Sequence, residues 1–261
     1  LPRHTLSAAV SSVALAAVLL TACGGTDSDS SDSSKAGGDR TAASGTGAAP
    51  LSATELTSKV LTQADLKGFL VSEPPKEETA TADKVVSKRQ DCAPLSLSLS
   101  GVALDDPKGS VQRRATAKKK APSGDAAKDV DAAVDAAFDT TTSVVTLASY
   151  ADEAAAKKAL ASIGKSVTAC AGGYTFTAMG AEQKVTKVAA DPAPEAGDEA
   201  TAFTAKVQQE DVPTAGPMKV VAFRTGTTLA YVSSINPGAM LKGGDFDFPT
   251  VLVDTQAKKL G

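Results

Sequence analysis

Three cysteines and one histidine are the scarcest reactive groups in this 261-residue chain. Cys23 ends the stretch Leu20-Thr21-Ala22-Cys23, after an uncharged run from Leu6 to Leu20 and a short n-region, Pro2-Arg3-His4. That run has the length of a secretory h-region and is short for a membrane-spanning helix. A small-residue cleavage site delivering a cysteine as the first mature residue is the pattern of a bacterial lipoprotein signal. The thiol takes a diacylglycerol, residues 1–22 are cut away, and acyl chains (palmitate among them) hold the product at the outer face of a membrane. Each buried methylene contributes about 0.8 kcal/mol, so two or three chains anchor a domain firmly. The expected location is the cell membrane, extracytoplasmic face, lipid-anchored through Cys23.

Cys92 and Cys170 are then left for each other in an oxidising compartment. Closing the loop between them would remove roughly 4 kcal/mol of unfolded-chain entropy. The only histidine, His4, lies in the discarded signal, so the mature chain cannot assemble a Ser-His-Asp or Cys-His centre. With no CxxC spacing and no mature histidine, no metal site or cofactor is expected. Gly172-Gly173 and Gly243-Gly244 lack phosphate-loop spacing and read as turns. Carboxylates remain: Asp105-Asp106, Asp191, Asp198-Glu199 and Asp245-Phe246-Asp247, all in expected loops. Asp245 and Asp247 could reach one Ca²⁺ but lack its twelve-residue loop, and helix capping by Asp247 explains them better. A glycan hydrolase with two distant acids is the weakest functional alternative, because aromatics to stack a sugar are scarce.

These residues are carried by a chain with three Tyr, seven Phe and no Trp, so its core must rest on Val, Leu and Ala. The formal net charge is -3. That mild acidity and the export signal argue against nucleic-acid binding. The basic cluster Arg113-Arg114 and Lys118-Lys119-Lys120 reads as the charged face of an exposed strand and its loop; a site for an anionic glycan or lipid headgroup is the alternative. Residues 24–50 contain no aromatic, Leu, Ile or Val. They cannot repay ordering entropy by burial and read, with Cys23, as a flexible tether spanning roughly 25–30 Å.

From position 51 to 261 the chain reads as one α+β domain. Ser52-Ala53-Thr54-Glu55 is a capping box with Leu51 as staple and Leu56, Val60 and Leu61 as apolar face. Thr62 to Asp65 repeats the cap signature, and Phe69-Leu70-Val71 is a short strand. Residues 76–88 read as a mobile excursion, and Asp91 as the cap of a short turn holding Cys92. A partly exposed strand is expected over 111–119, and a weak helix or ordered loop over 121–142. Ser143 to Ala148 is a buried strand. Tyr150 to Cys170 is the strongest helix, with Ala156, Leu160, Ile163 and Val167 on one stripe. Strands follow at 174–176, 185–189, 200–207, 218–224 and 228–234, the last pair as a hairpin over Thr225-Gly226-Thr227. A closing helix has Asp247 as cap and Val251, Leu252, Thr255, Ala257 and Leu260 inward. The expected fold is an antiparallel sheet with a long amphipathic helix and a C-terminal helix packed on it, plus one disulfide.

Several of these stretches together resemble a known family. Leu51-Ser52-Ala53-Thr54-Glu55-Leu56, the Asp91-Cys92 pair, SVVTLASYADEAAAKKALASIGKSVTACAGGYTFT from Ser143, and paired strands ending in a helix resemble the extracellular sensor domain of actinobacterial PknH-type serine/threonine kinases. Stand-alone lipoproteins carry similar domains. The most specific piece is Tyr150 at the helix start with the closing Ala169-Cys170-Ala171-Gly172. The resemblance implies a central cleft, disulfides and an unidentified extracellular ligand. Relatives of this kind commonly hold two disulfides and a Trp near the Asp-Cys turn; this chain offers only Cys92–Cys170 and no Trp.

Tyr150, Tyr174, Phe176 and Tyr231 are the side chains that would line such a cleft. Core packing is the competing role for aromatics in a chain that has so few. The function that follows is a non-catalytic ligand-binding or sensing lipoprotein, a monomer whose partner is a small molecule, a glycan or an envelope protein. A lipid or glycolipid carrier with an apolar cavity and a structural envelope protein are the alternatives.

Overall fold

The computed structural model describes residues 49–119, 138–209 and 213–261. Cys23, the signal and most of the tether lie outside the described residues, as does most of the expected 121–142 segment.

Among the described residues nine strands form one sheet. They are β1 (Phe69–Ser72), β2 (Val85–Ser87), β3 (Gly109–Ala117), β4 (Thr142–Ser149), β5 (Tyr174–Ala178), β6 (Ala181–Asp191), β7 (Glu199–Gln209), β8 (Gly216–Thr225) and β9 (Thr228–Ile235). Their order is β1-β3-β4-β9-β8-β7-β6-β5-β2, and every neighbouring pair is antiparallel. The helices are α1 (Ala53–Lys59), α2 (Ala93–Leu99), α3 (Glu153–Ala169), α4 (Pro237–Lys242) and α5 (Thr250–Leu260).

Side-chain alternation along β9 shows why both faces of the sheet are dry. Leu229 and Tyr231 join the core under α2 and α3, whereas Ala230 and Val232 join the core under α1 and α5. A central strand with cover on both sides has no face left for water, so residues 228–234 are all buried. The long helix and the closing helix therefore pack on opposite faces of the sheet.

The α3 helix forms as its stripe predicts: Ala156, Leu160, Ile163 and Val167 face the sheet. It starts later than expected, because the Asp152 carboxylate accepts from the Ala155 N–H at 2.7 Å and caps the first turn. Tyr150 precedes the helix and points into the core. At the far end the disulfide Cys92–Cys170, with 5.9 Å between Cα atoms, ties the helix to the start of α2. Asp91 does not cap that turn. Its carboxylate is paired with Arg89 at 2.6 Å, and Arg89 also donates to the Ala169 carbonyl at the negative end of α3. Residues 85–87, expected to be mobile, form the edge strand β2 against β5.

On the other face α1 carries the expected capping box: Ser52 N–H donates to Glu55 and Glu55 N–H donates to Ser52 Oγ. Leu56, Val60 and Leu61 are buried there. The closing helix differs from expectation in start and phase. Pro249 occupies its N-cap position, so Asp247 lies outside it; Leu252 is buried and Ala257 and Leu260 pack against the core as expected, but Val253 and Gln256 are buried too while Val251 is exposed. The amide of Gln256 explains that phase. Its Oε1 accepts from Leu61 N–H at 3.0 Å and its Nε2 donates to Lys59 O at 2.9 Å, closing the end of α1.

Candidate functional site

The tyrosines expected to line a central cleft are core residues. Tyr150 donates to Leu104 O at 3.0 Å and Tyr231 to Val102 O, both from the face under α2. Thr146 donates to Gly101 O and Ser233 to Leu99 O at 2.7 and 2.9 Å. Three hydroxyls of β4 and β9, with that of Tyr150 just after β4, thus satisfy the carbonyls of Leu99, Gly101, Val102 and Leu104, and Gly101 O also accepts from the Gln112 amide. Gly101 sits at φ 67°, and a Cβ there would meet Val144 Cγ1 at 2.7 Å. The loop therefore lies flat on the sheet where a cleft would open. Burial raises the Tyr150 and Tyr231 hydroxyls well above the ordinary tyrosine range. Tyr174 is also buried, stacked obliquely on Phe176 at 5.9 Å, and its hydroxyl has no hydrogen-bond partner.

The openings lie away from these rings. The largest described cavity, about 430 Å³, sits between the loop after β6, strands β7 and β8, and the start of α5. Ala202, Val221 and Val253 supply its apolar floor, and Phe248, Pro192 and Pro194 its sides. Two charged residues stand on its wall, Asp191 and Lys219. Asp191 accepts from the Thr204 hydroxyl at 2.6 Å. Lys219 Nζ is 2.6 Å from Phe246 O, 2.9 Å from Asp245 Oδ1 and 5.1 Å above the Phe246 ring. The Lys219 hydrogen bond holds the Asp245 carboxyl below the usual aspartate range. Asp245 is thus committed to a lysine, which argues against the Ca²⁺ pairing with Asp247.

Two further cavities, about 310 and 240 Å³, lie on the α2–α3 face and share Ile235 and Met240 in their walls. Phe176 alone of the four expected cleft residues reaches one of them. A fourth, about 360 Å³, separates residues 79–82 from the start of β3.

Three residues of the basic cluster are paired with acidic neighbours. Arg113 lies 3.6 Å from Glu73, Arg114 is bonded to Glu78, and Lys119 is 3.2 Å from Asp139. Lys120 lies outside the described residues. Among the described residues, Asp91, Cys92 and Cys170 are the one cluster of metal-ligating types, and both cysteines are spent in the disulfide. No helix among the described residues is long and apolar enough to cross a membrane.

Sequence reasoning missed the Lys219–Asp191 cleft. Its walls are 28 residues apart in the chain and meet only through strand pairing; the available signal is the carboxylate of Asp191, which the sequence places in a loop without showing what it faces.

No protein-family model and no curated protein matches the chain. Among solved structures, the extracellular domain of PknH from Mycobacterium tuberculosis is similar, with a TM-score of 0.49 and 10% identity over 81% of this chain and 95% of that one.

Proposed function

We propose that this chain is an extracytoplasmic ligand-binding or sensing domain that works by binding, without catalysis, and is held to the membrane by a lipid on Cys23. Residues 24–50 are its tether. The observation that carries the reading is the cleft beside α5: an apolar floor, two charges of opposite sign on its wall, and a volume within the usual range of about 300–1,000 Å³ for small-molecule sites. Asp191 and Lys219 would orient a ligand of mixed polarity while Val221 and Val253 bury its apolar part. A carrier that engulfs a whole multi-acyl lipid would need a larger apolar chamber than this one.

Native mass spectrometry of the protein purified from its own envelope extract tests the reading. The expected result is a specific adduct of small-molecule size that disappears in Ala193→Trp, which places an indole at the exposed mouth of the cleft. A clean apo mass, or a set of adducts of which none is lost in that variant, would sink it. Cys23→Ala should release the protein from the membrane fraction; retention there would refute the anchor.

A further inference from the structure

All three methionines of the chain, Met179, Met218 and Met240, stand on the wall of one cavity. That cavity shares Ile235 and Met240 with a second, which is walled by Leu241 of α4 and by Phe138. Met179, Leu241 and Phe138 are 50%, 50% and 49% exposed, three of the six large apolar side chains on the described surface. The two cavities together contain no charged residue, and only Ser100, Thr214 and Gln183 offer side-chain hydrogen bonds. The track runs across the sheet from the β5–β6 hairpin to the end of β9, four strand spacings or about 19 Å.

We propose that this track is a binding groove for a single fatty-acyl chain. Its apolar lining, lack of charge and span across four strand spacings suit an extended hydrocarbon. A peptide would leave its backbone amides unpaired there. Methionine suits the task because its unbranched, polarisable side chain repacks around occupants of different length and curvature. One wall is fixed while the other adapts. Gly216 lets α4 approach β8 so closely that a Cβ there would lie 2.3 Å from Met240 Cα, and Thr214 donates to Leu241 O at 2.9 Å. The groove lies on the face opposite the Lys219 cleft, so each site can fail without the other.

The test is calorimetric titration of the mature chain carrying Cys23→Ser with decanoate, dodecanoate and tetradecanoate. Affinity should rise about fourfold per added methylene, the equivalent of roughly 0.8 kcal/mol. Leu241→Glu and Phe138→Glu, both at half-exposed positions that tolerate a charge, should each weaken binding at least tenfold, and Ala193→Trp should leave it unchanged. Absence of binding at every length, no dependence on length, or indifference to both glutamate variants would overturn the proposal. Repeating the titration on the lipidated protein identifies the natural source. Blocked binding points to the chain's own anchor as occupant, and unchanged binding to a free membrane lipid; either result presupposes the groove.

Discussion

The two faces of the sheet are covered in different ways. Under α2 and α3 the cover is made of internal segments locked by the Cys92–Cys170 bond and by hydroxyls of Thr146, Tyr150, Tyr231 and Ser233 on the carbonyls of 99–104. Under α1 and α5 the cover is made of the first and last helices of the described domain. They hold by packing, by the Gln256 clamp and by the Lys259–Asp65 pair at 2.7 Å. The disulfide ties the two pieces of the first cover to each other, so that they can leave the sheet only together, whereas the second cover can fray one helix at a time. Low-cost opening should therefore concentrate at α5, which is also a wall of the Lys219 cleft. A binding site beside a cover that can lift has a route in for its ligand.

Breaking the stronger cover should cost most. Replacing both Cys92 and Cys170 by serine should lower stability by about 4 kcal/mol in a denaturant titration, since a long loop regains its freedom when unfolded. Leu252→Ala should cost about 3 kcal/mol and, in hydrogen exchange, speed α5 amides far more than α3 amides. Equal acceleration of both helices would erase the distinction between the faces. Gln256→Leu keeps the volume but leaves Leu61 N–H and Lys59 O unpaired, a loss of about 2 kcal/mol read by thermal melting with guanidine controls.

The smallest effect is electrostatic. The Lys259 hydrogen bond holds Asp65 below its usual 3.8, with burial opposing and Thr62 assisting. Its folded pKa is depressed, so the stabilisation is complete above the unfolded value and fades as pH falls through the folded one. Acid titration below pH 3.8 should loosen α5, and Asp65→Asn should remove that part of the pH dependence.

What could be read from the chain beforehand was local. Capping at Ser52 and Thr62, the α3 stripe and the Thr225-Gly226-Thr227 hairpin each reside within a few residues, and each formed. Contacts between distant residues decided the rest. The α2 helix hides in an alternating Leu-Ser stretch that propensity reads poorly, and burial of Leu95, Ser96, Ser98 and Leu99 settles it. The phase of α5 is fixed by a glutamine reaching α1, almost two hundred residues back in the chain. The tyrosines looked available for a ligand because nothing near them in sequence shows that the 99–104 carbonyls take their hydroxyls. The cleft and the methionine groove are both products of strand order, which no short window contains.

Strand order also limits how this molecule can be joined by another. The outermost strands are β1, with four residues, and β2, with three. Each of these two strands offers only a few unpaired amides and carbonyls, a short edge of the kind that blunts edge-to-edge polymerisation. A protein that docks against β1 or β2 gains few backbone bonds and has to read side chains on a face or in a groove as well.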